Sequence, residues 1–338
     1  MKPKISIVIP SYNKGHFIQE TLESLKAQTF LNWEAIVVDD GSTDDSVNII
    51  QDYCKKDSRL KFLKRNSNPK GGSACRNIGI DHAHGKYIMF LDADDVLAPN
   101  CLKNRFKQIE NSPENNFWVF SIGTFYKMPG DSTSIWIPKG KDFLSKFLRH
   151  DLPWHTMSVI WKKEFLQKIG SFNPDYPRLQ DVELHTRALL EDNVQFQTFP
   201  EADPDSYYRI DLDRILDTQY HFLKRWVAGT TMYVIEIGKR IEHKSSSGNL
   251  KKKLKGTVFS MLTTLLYNTK MNYINTAEYS KLRNQLLNSI EAIELLKRTD
   301  FHFLYLYENT YNYGFYRIKG FNYLSKRFFI KHKLYMKK

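Results

Sequence analysis

Val37-Val38-Asp39-Asp40-Gly41-Ser42-Thr43-Asp44 is the stretch whose reading decides the fold. The run Glu34–Val38 is mostly apolar and gives way at once to two carboxylates, a glycine and further polar residues. A short apolar run bounded by turn residues reads as a strand buried on both faces. Asp44 is suited to cap a following helix that carries Val47, Ile49 and Ile50. Upstream, Ile5–Ile9 is a second β-rich run, ending at Pro10, and His16–Gln28 sets Phe17, Ile18, Leu22 and Leu25 on one helical face. Downstream, Leu60–Leu63 reads as a strand, Asn66–Gly72 as a polar loop, and Ser73–Ala83 as a helix closed by Gly85. Tyr87–Leu91 is a fourth strand, ending at Asp92-Ala93-Asp94-Asp95. Strands alternating with helices predict an α/β domain with a mostly parallel central sheet.

Ligands of open parallel sheets bind beyond the carboxyl ends of the strands. Three strands deliver polar residues there: Pro10-Ser11-Tyr12-Asn13, Asp39-Asp40-Gly41-Ser42 and Asp92-Ala93-Asp94-Asp95. Five carboxylates from two strand ends repel one another unless a cation intervenes. A divalent ion with oxygen ligands meets that need, since such ions take one or two carboxylates plus substrate phosphates. A single Asp at a strand end is equally well a helix cap. Two acidic clusters and an aromatic at three strand ends call for more than capping. Pro10–Gly15 reads P-S-Y-N-K-G, which is neither a dinucleotide fingerprint nor a phosphate loop. Gly71-Gly72, the nearest glycine-rich element, reads as a plain loop.

Beyond residue 117 the pattern loosens. Phe117–Tyr126, Ser134–Ile137 and Val159–Trp161 read as strands, and Lys141–Leu148 and Arg178–Glu191 as helices. Gln195–Phe199 and Ser206–Ile210 are strand-like, and after Leu212 the chain is almost entirely helix-compatible. The three cysteines, Cys54, Cys75 and Cys101, lack metal-ligand spacing and suit a reducing cytoplasm. No apolar run approaches the ~20 residues of a transmembrane helix. The net charge of +13 is unevenly placed. Residues 1–210 hold 27 basic and 27 acidic side chains, which leaves 23 and 10 of the chain's 50 and 37 for residues 211–338. Two parts with different electrostatic roles are implied.

Four motifs, in order and with matching spacing, resemble the family 2 inverting glycosyltransferases of GT-A fold: Tyr12-Asn13 within Ile5–Gln28, Val37–Asp44, Ala74-Cys75-Arg76-Asn77, and Phe90-Leu91-Asp92-Ala93-Asp94-Asp95. A weaker likeness continues through Gly170-Ser171-Phe172, Gln180-Asp181 and Tyr207-Tyr208-Arg209. The resemblance implies a GT-A domain at 1–210 and a basic, mainly helical domain at 211–338. It gives Pro10 and Tyr12 to a base pocket, Asp40 to the base N–H with Asp39 in support, and Arg76 to base or phosphates. Asp92 and Asp94 resemble the family's D-x-D pair. Asp92 would face ribose or metal, and Asp94 would hold Mg2+ or Mn2+ against the diphosphate, with Asp95 a competing ligand. Asp181 takes the position of the general base, Gln180 stands where the family usually has Glu, and Glu183 is the alternative base. The implied donor is a UDP-sugar. The implied acceptor is a glycan or lipid-linked glycan of a surface polysaccharide, with transfer on the cytoplasmic side.

Several readings stay open. Trp154-His155 suits either an acceptor pocket or packing, and Arg209 either a diphosphate contact or an ordinary surface role. Residues 301–338 interleave aromatic and basic side chains, as in Phe301–Tyr307 and Tyr323–Tyr335. That suits peripheral contact with the inner face of an anionic membrane, or a helical packing layer. Nucleic acid, which attracts the same side chains, is not expected as a partner. Two rival functions are a carboxylate-pair glycoside hydrolase and a non-catalytic binding protein of the same fold.

Overall fold

The computed structural model describes residues 2–66, 68–210, 219–291 and 293–331. The expected boundary at 210/211 and residues 332–338 of the aromatic–basic tail border on or lie outside these. The chain divides into two compact units. The first comprises Met1–Lys141, Pro153–Asp175 and Glu191–Arg214; the second comprises Asp142–Leu152, Tyr176–Leu190 and Ile215–Lys338.

The first unit opens with β1 (Ile5–Ser11), α1 (Ile18–Lys26), β2 (Trp33–Asp39), α2 (Ser46–Lys56), β3 (Leu60–Lys64), α3 (Gly72–His82) and β4 (Tyr87–Phe90). Next come β5 (Val96–Leu97), α4 (Cys101–Asn111), β6 (Phe117–Phe120), β7 (Ile122–Phe125) and β8 (Ile135–Trp136). The second unit interrupts with α5 (Phe143–Leu148), after which β9 (Val159–Lys162) and α6 (Lys163–Lys168) return to the first. The helix α7 (Gln180–Leu190) belongs to the second unit, and β10 (Phe196–Phe199) and β11 (Ser206–Arg209) complete the first.

A seven-stranded sheet runs β10-β6-β9-β4-β1-β2-β3. Every pairing in it is parallel except those of β9 with β4 and β6. The expected α/β class with a mostly parallel sheet is what the chain adopts. β1 and β2 are buried almost throughout, because helices cover both faces, and this is why their sequences show no polar alternation. Ile7 and Ile9 of β1, Val37 of β2 and Met89 of β4 pack with Leu22 and Leu25 of α1 and Leu102 of α4. Each such side chain contributes about 1.5–3 kcal/mol.

Several features depart from the sequence reading or refine it. Phe117–Tyr126 is two strands in two sheets: the chain leaves the large sheet at Ser121, and β7 joins a small sheet ordered β5-β11-β7-β8. The helix Cys101–Asn111 was not anticipated, although Leu102, Arg105 and Ile109 form its buried face. Asp44 stands one residue before the cap position, which Asp45 occupies, and still binds the first N–H of α2. It accepts from the Ser46 N–H at 3.1 Å and the Gly15 N–H at 2.9 Å, tying two loops together. Gly85 lies past the end of α3, whose cap is Ala83, and is needed for close approach instead. A β-carbon on Gly85 would stand 2.7 Å from the Ser6 nitrogen.

The second unit adds α8 (Gln219–Glu242), α9 (Ser247–Lys270), α10 (Thr276–Glu291), α11 (Arg298–Asn312) and α12 (Phe321–Lys331) to α5 and α7. Leu254, Val258, Leu262 and Leu265 give α9 a fully buried stripe. Among the described residues no helix is long and apolar enough to cross a membrane.

Because the clash at Gly85 is with backbone, Gly85→Ala is expected to destabilise the protein by roughly 1–3 kcal/mol. A urea denaturation midpoint close to wild type would show that the β1 edge yields more easily than this packing implies.

Candidate functional site

β1, β2 and β4 end side by side, with Ser11 paired to Asp39 and Val8 to Phe90. The loops that follow are laced by polar groups. The Asn13 N–H donates to Ser42 Oγ at 2.9 Å, and Asn13 Oδ1 accepts from the Thr43 N–H at 2.8 Å. The Lys14 N–H donates to Ser46 Oγ at 2.8 Å. These bonds hold the β1 loop against the β2 loop before any ligand contributes.

Between the loops lies a cavity of about 270 Å³. Pro10, Tyr12, Asp40, Arg76, Asp92 and Asp94, six of the residues anticipated from sequence, all line it. The Tyr12 side chain is 55% exposed, which leaves a ring face open to a planar partner. The cavity is densely charged, and each charge has an opposite neighbour. Lys14 Nζ donates to Asp94, Arg76 Nη2 donates to Asp92 Oδ1 at 2.6 Å, and Arg65 Nε donates to Asp40. The Gly71 N–H also donates to Asp40 Oδ2, at 3.0 Å.

Asp39 is different. It is fully buried and stays out of the cavity, accepting from the Gly41 N–H at 2.9 Å and the Ser42 N–H at 3.1 Å. It folds the loop that presents Asp40. Asp95 is fully buried too, with Oδ1 accepting from the Arg209 N–H at 2.9 Å. Burial first, then the charges of Asp92 and Asp94, push the Asp95 carboxyl well above the usual carboxylate range. Arg209 also lies beneath the cavity. Its Nε donates to the Asp94 carbonyl at 2.8 Å, and its guanidinium lies over the rings of Phe17 and Phe125.

Among the described residues no three His, Cys, Asp or Glu side chains form a finished metal cage. The donor set still fits a divalent cation. Asp92 and Asp94 are partly exposed at the cavity wall, and Oδ2 of Asp95 has no hydrogen-bond partner among the described residues. Two carboxylates completed by phosphate oxygens make the oxygen-rich shell that Mg2+ or Mn2+ takes.

Lys14, Gly72, Cys75 and Tyr208 also line the cavity and were not singled out from sequence. Lys14 had a signal, as the one cation in P-S-Y-N-K-G. Tyr208 had none beyond its place in Tyr207-Tyr208-Arg209. Burial, then the charge of Asp40, pushes the Cys75 thiol up to about 12, so it stays protonated. Trp154 is core, buried against Phe117 and Phe196. His155 lies beside Tyr208, ring centroids 5.2 Å apart.

In the second unit, Asp181 is the second residue of α7, and its Oδ1 accepts from the Val182 N–H at 2.9 Å. Glu183 is buried and held by Arg187 through bonds of 2.6 and 2.8 Å.

Residues 6–167 match the family model described as Glycosyl transferase family 2. These residues form a domain of that family. The family 2 domain is 42% identical over 125 residues to an uncharacterized glycosyltransferase of Rickettsia conorii, covering 37% of this chain and 20% of that one. It is 34% identical over 164 residues to the glycosyltransferase GlyG of Streptococcus pneumoniae, covering 48% of this chain and 52% of GlyG. The chain thus spans between a fifth and about half of these curated relatives. Among solved structures, S. aureus TarS in complex with UDP matches with a TM-score of 0.66 and 18% identity, over 91% of this chain and 87% of that one. A mannosyltransferase from Pyrobaculum calidifontis, in complex with GDP-Man and Mn2+, matches with a TM-score of 0.51 and 16% identity, over 86% of each chain. At these identities the likeness establishes the GT-A-like fold.

Asp39→Ala removes the acceptor for two loop N–H groups in a dry site. It is expected to lower stability by roughly 1–3 kcal/mol, whereas Asp45→Ala, at an exposed position, stays within about 0.5 kcal/mol. Thermal melting of the two variants distinguishes them, and equal midpoints would remove Asp39 from its loop-forming role.

Proposed function

We propose that the family 2 domain transfers a glycosyl group from a nucleoside-diphosphate sugar, specifically a UDP-sugar, to an acceptor hydroxyl with inversion. The carrying observation is that Tyr12, Asp40, Arg76, Asp92 and Asp94 meet at one cavity beyond the strand ends. TarS in complex with UDP and with UDP-GlcNAc, and the mannosyltransferase with GDP-Man and Mn2+, support a nucleotide-sugar donor and a divalent cation. The acceptor on this reading is a glycan or lipid-linked glycan.

Each residue has a role set by its chemistry. The exposed Tyr12 ring offers a face to the base, and Asp40, aimed by Arg65 and Gly71, accepts from a base N–H. Arg76 and Lys14 supply positive charge to the diphosphate. Asp92 and Asp94 hold Mg2+ or Mn2+, while Asp95 stays buried behind them and anchors the strand that carries Arg209. When bound, the cation offsets the negative charge that develops on the departing diphosphate. Asp181 is the base. It takes the proton as the acceptor oxygen bonds to the anomeric carbon, and the electron pair of the broken carbon–oxygen bond leaves with UDP. Attack opposite the leaving group inverts the anomeric centre. A carboxylate-pair hydrolase needs no nucleobase pocket, so the Tyr12–Asp40 side of the cavity favours transfer.

UDP with Mn2+ is expected to raise the melting temperature, by an amount equivalent to about 2.7 kcal/mol at a ligand concentration one hundred times Kd. Lack of protection by any nucleoside diphosphate, with or without metal, would overturn the reading.

Asp181→Asn should keep this protection and lose transfer by about 10²–10⁴-fold. Full turnover in that variant would return the base to another residue. Asp94→Ala should abolish the Mn2+ dependence of UDP protection, and its persistence would move the metal elsewhere.

A further inference from the structure

The second unit holds a cavity of about 370 Å³ whose walls come from the end of α5, from α9 and from α12. Arg149, Lys253, Lys326 and Arg327 line it with Tyr323, and Asp151 is its one carboxylate. None of these residues takes part in the donor site described above. From this geometry we infer that the cavity is a binding site for a phosphoryl group, carried by a phospholipid headgroup, by a phosphate-bearing acceptor or as free phosphate.

The cavity is a built feature. Thr257 of α9 donates to the Leu148 carbonyl at 3.0 Å, and Gly256 lets the chain at Arg149 come close. A β-carbon at Gly256 would stand 3.0 Å from the Arg149 Cα and 2.9 Å from the tip of Ile330, which lines the same cavity. Behind α12, Phe329 packs on Phe259 of α9, ring centroids 5.5 Å apart. Backbone and buried side chains therefore fix where the cations project.

The charges are arranged to attract an anion. Asp151 accepts from Arg149 at 2.9 Å and from Lys326 at 2.8 Å, so a single carboxylate aims two cations. Lys253 and Arg327 have no ion pair among the described residues. Four cations around one cavity repel one another, and a tetrahedral anion relieves that repulsion better than a second carboxylate would. Its oxygens can accept from two guanidinium groups and two ammonium groups at once, with the Tyr323 hydroxyl as a further donor. On α12, Leu324 and Phe328 are exposed next to Arg327, which gives an acyl chain or other apolar group a surface beside the phosphate.

The test uses the full chain at low ionic strength. Two probes are used: inorganic phosphate by calorimetry, and co-sedimentation with vesicles of equal parts phosphatidylcholine and phosphatidylglycerol, with phosphatidylcholine vesicles as control. Lys253→Gln with Arg327→Gln is expected to weaken binding of at least one probe by about tenfold or more. Lys253→Arg with Arg327→Lys should restore it, and unfolding midpoints of both double variants should match wild type. Lys252→Gln, on the same helix but outside the cavity, should bind as wild type does. A response with vesicles alone assigns the phosphate to a lipid, and a response with inorganic phosphate assigns it to a soluble or acceptor-borne group. Binding of neither probe by wild type, or equal loss in Lys252→Gln, overturns the site.

Discussion

At the carboxyl edge of the large sheet, Asp39, Asp40, Asp92, Asp94 and Asp95 stand within a few loops, where like charges would force the strand ends apart. The structure answers each carboxylate separately. Asp39 is buried and accepts backbone N–H groups of its own loop. Asp40 takes Arg65 and the Gly71 N–H, Asp92 takes Arg76, and Asp94 takes Lys14. Asp95 is driven toward its neutral form by burial and by Asp92 and Asp94. The cavity exists because these partners come from different elements, so neutralising the carboxylates also fixes the spacing of β1, β3 and α3 around them.

That arrangement explains which side chains face outward. Asp39 and Asp40 are adjacent on one strand end, and alternation of side chains sends them to opposite sides. One forms the loop and the other lines the cavity. Asp92 and Asp94 line the cavity from the turn after β4, which the Asp95 N–H closes by donating to the Asp92 carbonyl at 3.1 Å, with Asp95 turned inward to the Arg209 N–H. The ambiguity between Asp94 and Asp95 in the sequence is one of side-chain direction, and direction depends on the turn after β4. Arg209 is likewise committed to holding Asp94 and Asp95 from below.

How much was legible follows from the range of the interactions involved. The parallel core was readable because β1, β2 and β4 are mostly apolar runs, each ending abruptly in polar residues. Tyr12, Asp40, Asp92 and Asp94 were readable because that ending places them at the ligand edge, whereas Arg76, on α3, was implied only by the family resemblance. The small sheet was not, although the strands at Ser134–Ile137 and Ser206–Ile210 were, since β5 has two residues and nothing local shows which strands pair. The split of Phe117–Tyr126 at Ser121 was hidden because both halves are strand-like and buried throughout. Arg65 gained meaning only from a partner distant in sequence, Asp40. The assignment of 142–152 and 176–190 to the unit of the C-terminal helices was invisible for a similar reason. An amphipathic helix such as α7 shows which face it buries but not against what.

The basic excess of residues 211–338 can now be placed in part. Some cations are spent internally: Lys255 donates to Asp300 in a buried pair, and Arg283 donates to Glu308. Others are left over, and Lys253 and Arg327 meet Arg149 and Lys326 across one cavity. The proposed donor site and the proposed phosphoryl site thus give the two units opposite electrostatic designs for ligands of the same sign. In the first, carboxylates outnumber cations, and a phosphate can be held there once a divalent ion reverses the local sign. In the second, a single carboxylate organises four cations and the local sign is positive from the outset. On the proposed function, phosphate binding at the first site would call on a metal ion, whereas at the second it would respond to ionic strength alone.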